Sequence, residues 1–204
     1  MSQRPGIIYN IISYPLIYKI VQKLMSGTSF REKVIRKNVK FGKVNVLDIG
    51  CGPAEILNYI PFSNYYGFDI DKRHINYARK KFNRNNCHFF CKKFTFKDLK
   101  KLPKFDYVVL FGILHHLKNE EAKTILKLCR KVMKKKGVLL TEDPIFTKNQ
   151  NIIAKFFIKN DRGANVRTKN EYLKLVKKNF KKINAKISNQ SFIPYTWFTM
   201  TCYK

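Results

Sequence analysis

Apolar residues recur along this chain in two registers. From residue 7 to 25 they fall at roughly helical spacing, with Lys19, Gln22 and Lys23 on the other side, and Pro15 divides the stretch into two short helices. Ser29 is placed to cap a further helix over 30–37. From Lys43 onward, strand-length apolar runs alternate with helical stretches, the pattern of a parallel sheet with crossover helices. The strands are expected at 45–49, 65–70, 87–91, 107–111 and 138–141, and helices at 72–83 and 119–134. The second helix is expected to stop in the basic run before Gly137. Beyond it, 151–158 and 169–179 read as helices, and 183–187 with 196–203 as a terminal antiparallel hairpin. No repeat or linker interrupts this order. The division expected is an N-terminal helical cap, 1–40, on a domain formed by 41–204, within one structural domain.

Composition supports a packed domain, because 45% hydrophobic and 14% aromatic residues in a 204-residue chain suffice for a substantial core. Five scattered cysteines, an odd number, suit a reducing compartment better than a disulfide framework. With neither a secretory signal nor an apolar run long enough to span a bilayer, the expected location is cytoplasmic. The formal charge of +29 raises nucleic acid, anionic membrane and anionic substrate as partners. The excess is mostly lysine spread over the whole chain, beside abundant Asn, Ile, Phe and Tyr, as compositional drift would also produce. The 7–25 stretch reads either as a helix capping the domain or as an interfacial helix with weak membrane-surface association.

The most informative stretch is Val46-Leu-Asp-Ile-Gly-Cys-Gly-Pro-Ala54, an apolar strand ending in a carboxylate and then a glycine turn. Glycines there let the backbone fold sharply and approach a ligand closely. Asp48, two residues before the turn, suits an ammonium-bearing ligand better than a pyrophosphate. Asp69 ends the second strand, where an acid accepts hydrogen bonds from ribose hydroxyls, while Asp71 fits the cap of the next helix. Cys87-His88-x-x-Cys91 invites a zinc reading, but four residues of strand span about 13 Å, too far to share one metal. No metal site is expected.

The order of strand, glycine turn and acid, followed by FDYVVLFGILHHL (105–117) and RKVMKKKGVLL (130–140), resembles class I S-adenosylmethionine-dependent methyltransferases over about residues 44–145. DRGANVR (161–167) and PYTWFTMTCY (194–203) resemble a bacterial subgroup associated with polysaccharide and lipid biosynthesis. The resemblance implies an α/β, Rossmann-like, seven-stranded and mostly parallel sheet. Its last strand is reversed, helices cover both faces, and extra helices stand at the N-terminus. It implies S-adenosylmethionine as cofactor and S-adenosylhomocysteine as product. Asp48, Gly50, Cys51 and Gly52 would surround the methionine moiety, Asp69 with Ile70 the ribose, and Phe111 with Gly112 the sulfonium side. This chain has Ala54 for the family's third glycine, and Cys91-Lys92-Lys93 where the family carries an acid for the adenine amino group. Backbone groups or Asp98 folding back are the substitutes.

His115, just after the fourth strand, is a candidate general base for a hydroxyl acceptor, whereas His116 reads as structural. Glu142 and Asp143 are rival acids on the same rim, with Asp143 carried as a candidate catalytic residue. Arg162 and Arg167 are candidate clamps for an anionic acceptor, with a brace between Asp161 and Arg162 as the alternative, and Tyr195 is a candidate acceptor contact. The expected acceptor is a small molecule, a sugar or a lipid-linked group. A nucleic acid, RNA above all, is the alternative raised by the charge, and a non-catalytic cofactor-binding relative is the one raised by the missing acid.

Overall fold

The computed structural model describes residues 28–39, 42–161, 163–190 and 194–204. The paired N-terminal helices expected over 7–25 lie outside the described residues, as does Arg162. The central sheet is built from β1 (Asn45–Ile49), β2 (Asn64–Asp69), β3 (Cys87–Cys91), β4 (Phe105–Phe111), β5 (Met133–Phe146), β7 (Lys182–Gln190) and β8 (Tyr195–Tyr203). They run in the order β3-β2-β1-β4-β5-β8-β7, and a two-residue β6 (Arg167–Thr168) pairs with the end of β5. β8 is antiparallel to both neighbours, and the pairs among β1 to β5 are parallel, so the reversed last strand is as expected.

Adjacent residues of each central strand point to opposite faces, and both faces are covered, which is why these strands read as unbroken apolar runs. On one face Val46, Tyr65, Val109 and Leu140 pack with Val34 and Ile35 of α1 (Thr28–Asn38) and Ile75 and Ala78 of α2 (Lys72–Lys81). On the other, Leu47, Phe68, Val108 and Leu139 pack with Ile125, Leu126 and Cys129 of α3 (Asn119–Val132) and Leu175 and Val176 of α5 (Lys169–Lys177). Val34, Ile35 and Val39 bring α1 and the residue after it into this core.

Local signals place the helices. Asp71 caps α2 by accepting from the Arg73 N–H at 2.8 Å. Asn151 caps α4 (Ile152–Lys159), accepting from the Ile153 and Ala154 N–H groups. Glu171 accepts from the Thr168 N–H at 2.8 Å, closing a capping box on α5. One boundary differs from expectation. The chain leaves α3 after Val132, and Met133 already pairs with Phe105 in β5. Met133 is buried, and the lysine run reads as a helix end only until that apolar anchor claims its start for the sheet. A Cβ on Gly137 would lie 3.0 Å from the Phe105 carbonyl oxygen, so this glycine lets the strands close up rather than stopping a helix.

Candidate active site

The carboxyl end of the parallel strands, where ligands bind in open α/β sheets, holds a cavity of about 750 Å³. The turn after β1 forms one wall. Gly50 and Gly52 have φ of +75° and +53°, and a Cβ on Gly50 would stand 1.9 Å from Ile113 Cδ1, so a side chain there would have to displace Ile113 on an already strained backbone. Ala54, in the third glycine's place, also takes a left-handed φ of 56°. The methyl group is tolerated there at a cost of roughly 1–2 kcal/mol. The turn is pinned from β2: Gly50 and Cys51 donate to the Phe68 carbonyl at 2.7 and 3.1 Å, and Gly52 donates to Asp69 Oδ2 at 2.8 Å. Asp69 Oδ1 accepts from the Asp71 N–H at 2.8 Å. Gly50, Gly52, Asp69, Ile70, Phe111 and Gly112 all line the cavity.

These residues fit the cofactor the resemblance implies. The glycine cradle lets a ligand lie against bare backbone, and Asp69, held by two N–H groups, keeps acceptor capacity toward the cavity for a ribose diol. Two candidates lie behind this wall. Asp48 is buried and accepts from Tyr65 Oη at 2.7 Å. Burial raises its pKa to about 7 against the opposing Tyr65 hydrogen bond and Arg31 charge. Cys51 directs its sulfur toward Gly67, and burial holds its thiol well above the usual range. At the adenine end, Lys92 and Lys93 line the cavity together with apolar Ile70, Phe94 and Ile125. Asp98 does not substitute for the missing acid. Its carboxylate accepts from the Thr95 N–H and hydroxyl at 2.9 Å and pairs with Lys92.

Gly112, with φ of +69°, lies between two buried ion pairs. A Cβ there would be 3.8 Å from Arg31 Nη2 and 3.6 Å from His115 Cε1. Arg31 reaches from α1 to donate to Glu142 Oε1 at 2.9 Å and lies 5.5 Å from the Phe111 ring centroid. Burial pushes the Glu142 carboxyl up against that pairing. Glu142 Oε2 is buried without a hydrogen-bond partner among the described residues.

The second pair revises the expected base. His115 is buried, with Nδ1 2.8 Å from Asp143 Oδ1 and Nε2 3.2 Å from Asp161 Oδ1. Burial alone would lower its pKa, but hydrogen bonds to Asp143 and Asp161, and their charges, raise it to about 9. A protonated ring flanked by two carboxylates has no lone pair for an acceptor's proton, and His115, His116 and Asp161 place ligand atoms within 4.8 Å of one another. Asp143 is buried against His115, and burial pushes its carboxyl up against that partner's pull. Asp161 is drawn well below the ordinary range, since His115, the Tyr195 hydroxyl (2.6 Å) and the Gly163 N–H outweigh its burial. His116, not His115, lines the cavity.

Arg167 also departs from its expected role. It is buried and donates to the Leu114 and Leu117 carbonyls at 2.7 Å, the Asn165 carbonyl at 2.9 Å and Asn119 Oδ1. That guanidinium is committed to holding the 114–119 segment and is not open to an anionic acceptor. Tyr195 is likewise buried and engaged with Asp161. Sequence reasoning passed over Arg31 and gave Asp161 only as a partner for Arg162, not for His115. Neither lies near its partner in the chain, and only the Asp161-Arg162 dipeptide hinted at a brace.

Residues 47–139 match the family model of the methyltransferase domain. No curated protein matches the chain. Among solved structures, an S-adenosylmethionine-dependent methyltransferase from Archaeoglobus fulgidus is 19% identical, with a TM-score of 0.69 over 92% of this chain and 99% of that one. The plantazolicin methyltransferase BamL, in complex with a triazolic desmethylPZN analog and S-adenosylhomocysteine, is 17% identical, with a TM-score of 0.65 over 94% and 92%. The N-methyltransferase NodS from Bradyrhizobium japonicum, bound to S-adenosylhomocysteine, is 15% identical, with a TM-score of 0.64 over 85% of each chain. At these identities the likeness is one of fold.

Proposed function

We propose, on the premise that this chain is a class I S-adenosylmethionine-dependent methyltransferase, that it methylates a small-molecule, sugar or lipid-linked acceptor. The observation that carries the reading is the cavity of about 750 Å³ at the carboxyl ends of β1, β2 and β4, bounded by the glycine turn, Asp69 and Gly112. Its size suits one discrete ligand and a modest acceptor, and all described elements belong to the one sheet and its flanking helices. Structural neighbours named for discrete acceptors, plantazolicin and precorrin-6y, agree with that scale.

Gly50 and Gly52 would admit the methionine end, Asp69 and Ile70 the ribose, and Phe111 with Gly112 the wall beside the sulfonium. The cofactor, when bound, supplies the activated methyl group. The protein's own part is alignment and exclusion of water. The Arg31–Glu142 and Asp143–His115–Asp161 networks hold the loop carrying Gly112 from both sides and give it one conformation. Of the two adjacent histidines, His116 lines the cavity and is the one placed to meet an acceptor proton.

The test is methyl transfer from labelled cofactor at physiological salt, with total RNA, DNA, and glycan and lipid extracts offered separately. Label is expected in the glycan or lipid fraction. Stable label in nucleic acid, lost on nuclease digestion, would make the +29 charge functional and overturn this acceptor class.

A further inference from the structure

Helix α4 leaves the carboxyl end of β5, the sheet end at which the cavity lies, and packs on the start of β8. It buries Ala154 and Ile158, the latter against Tyr195 and Trp197. Four further large apolar side chains stay exposed: Ile152 (84%), Ile153 (53%), Phe156 (64%) and Phe157 (38%). At the helical 100° per residue these four share one arc of about 140°, beside the buried stripe and apart from it. The apolar surface of α4 is therefore far wider than its contact with the domain requires, and the surplus is aliphatic and aromatic.

Charge supplies the second observation. Lys155 and Lys159 border the Ile152 edge of the exposed arc, and Lys148 precedes the helix. From Pro144 through Asn160 the chain contains no acidic residue. An apolar face rich in Phe and Ile, edged by lysines on a chain of net charge +29, matches an interfacial helix on an anionic lipid surface. The apolar side chains would enter the headgroup–acyl boundary, and the lysines would meet headgroup phosphates. A protein partner covering the same arc would have to supply acidic residues to meet those lysines, whereas an anionic lipid surface supplies apolar depth and phosphate charge together.

We infer that α4 docks the enzyme on an anionic phospholipid surface and so presents the cavity to an acceptor carried by a membrane lipid. The acceptor half of this inference rests on the function proposed above, whereas the docking half does not. No helix among the described residues is long and apolar enough to cross a membrane, so the association is one of surface contact.

The experiment is co-sedimentation of the full chain with phosphatidylcholine vesicles, and with vesicles that also contain phosphatidylglycerol, at physiological salt. The wild type should pellet with the mixed vesicles and stay in the supernatant with the neutral ones. The double variant Ile152→Ser/Phe156→Ser removes only exposed side chains, so it should keep the wild-type melting profile and cofactor affinity while losing tenfold or more of its vesicle partition. Absence of wild-type binding to the mixed vesicles, or equal binding by the double variant, would overturn the inference, the latter by showing that charge alone is responsible. Self-association through this face, abolished by the same variant without any vesicle binding, would overturn it too. Vesicle binding with label only in soluble glycan would refute the lipid-linked acceptor and leave the docking standing. Label in lipid without vesicle binding would do the reverse.

Discussion

Replacing His115 by alanine separates a structural ion triad from a catalytic base. In the folded chain His115 titrates at about 9, against an ordinary 6.5, because Asp143 and Asp161 hold its proton. Below pH 6.5 the ring is protonated folded and unfolded, and the full stabilisation is present. As pH rises through 9 the folded state gives up the proton and the advantage goes with it. The span corresponds to about 3 kcal/mol of pH-dependent stability, at 1.36 kcal/mol per pKa unit. Removing the ring altogether leaves the buried Asp143 and half-buried Asp161 carboxylates facing a void, which costs on the order of 3–5 kcal/mol near neutral pH. For a chain of this length that is a melting-temperature loss of about 10 °C. Urea denaturation of wild type and His115→Ala at pH 6.5, 8 and 9.5 reads both effects. The wild type should weaken steadily across the series, and the variant should start lower and stay nearly flat. A variant as stable as wild type at pH 6.5, with turnover reduced at least ~10²-fold, would refute the ion triad and restore the base.

Two other predictions use the same buried chemistry. Asp48→Asn retains an acceptor for Tyr65 Oη and removes a carboxyl that burial raises from 3.8 to about 7. The wild type's protonated Asp48 favours folding below pH 4, and that contribution is lost as pH rises through 7, so the variant should show a shallower fall in stability between pH 4 and 7. An unchanged slope in denaturant titrations would contradict the assignment. Arg167→Ala removes donors to the buried Leu114 and Leu117 carbonyls, the Asn165 carbonyl and Asn119, and should cost about 3 kcal/mol in thermal melts while leaving the acceptor KM nearly constant. An unchanged melt with a raised KM would return Arg167 to the acceptor clamp.

The central strands and the cradle were legible because each is encoded locally. The alternation of apolar runs names β1 to β5. Gly50, Gly52 and Asp69 lie within one strand–turn–helix–strand unit whose geometry leaves few alternatives. The networks behind the cradle were not, since they join residues far apart in the chain: Arg31 meets Glu142 across 111 positions and Arg167 meets Asn119 across 48. A basic side chain that clamps carbonyls and one that clamps a phosphate look alike in sequence, and only burial separates them. His115 and His116 illustrate the same limit. They share a tight 3-10 turn over Leu114–His116, where adjacent residues face different ways, and periodicity does not say which one meets the cavity. The end of α3 was misplaced because helix propensity favours continuing through the lysines, whereas the buried Met133 fixes the strand start.

The most direct test of the account is calorimetric titration of S-adenosylhomocysteine into wild type, Asp69→Ala and Gly50→Val. The wild type should bind in the micromolar range. Asp69→Ala removes a charged acceptor worth about 1.5–3 kcal/mol, so its affinity should fall roughly 10- to 100-fold. Gly50→Val should show no binding heat, because even its Cβ would meet Ile113 at 1.9 Å on a backbone already at φ +75°. A wild type that takes up no ligand, or a Gly50→Val variant that binds like wild type, would contradict the claim that this cradle holds the cofactor.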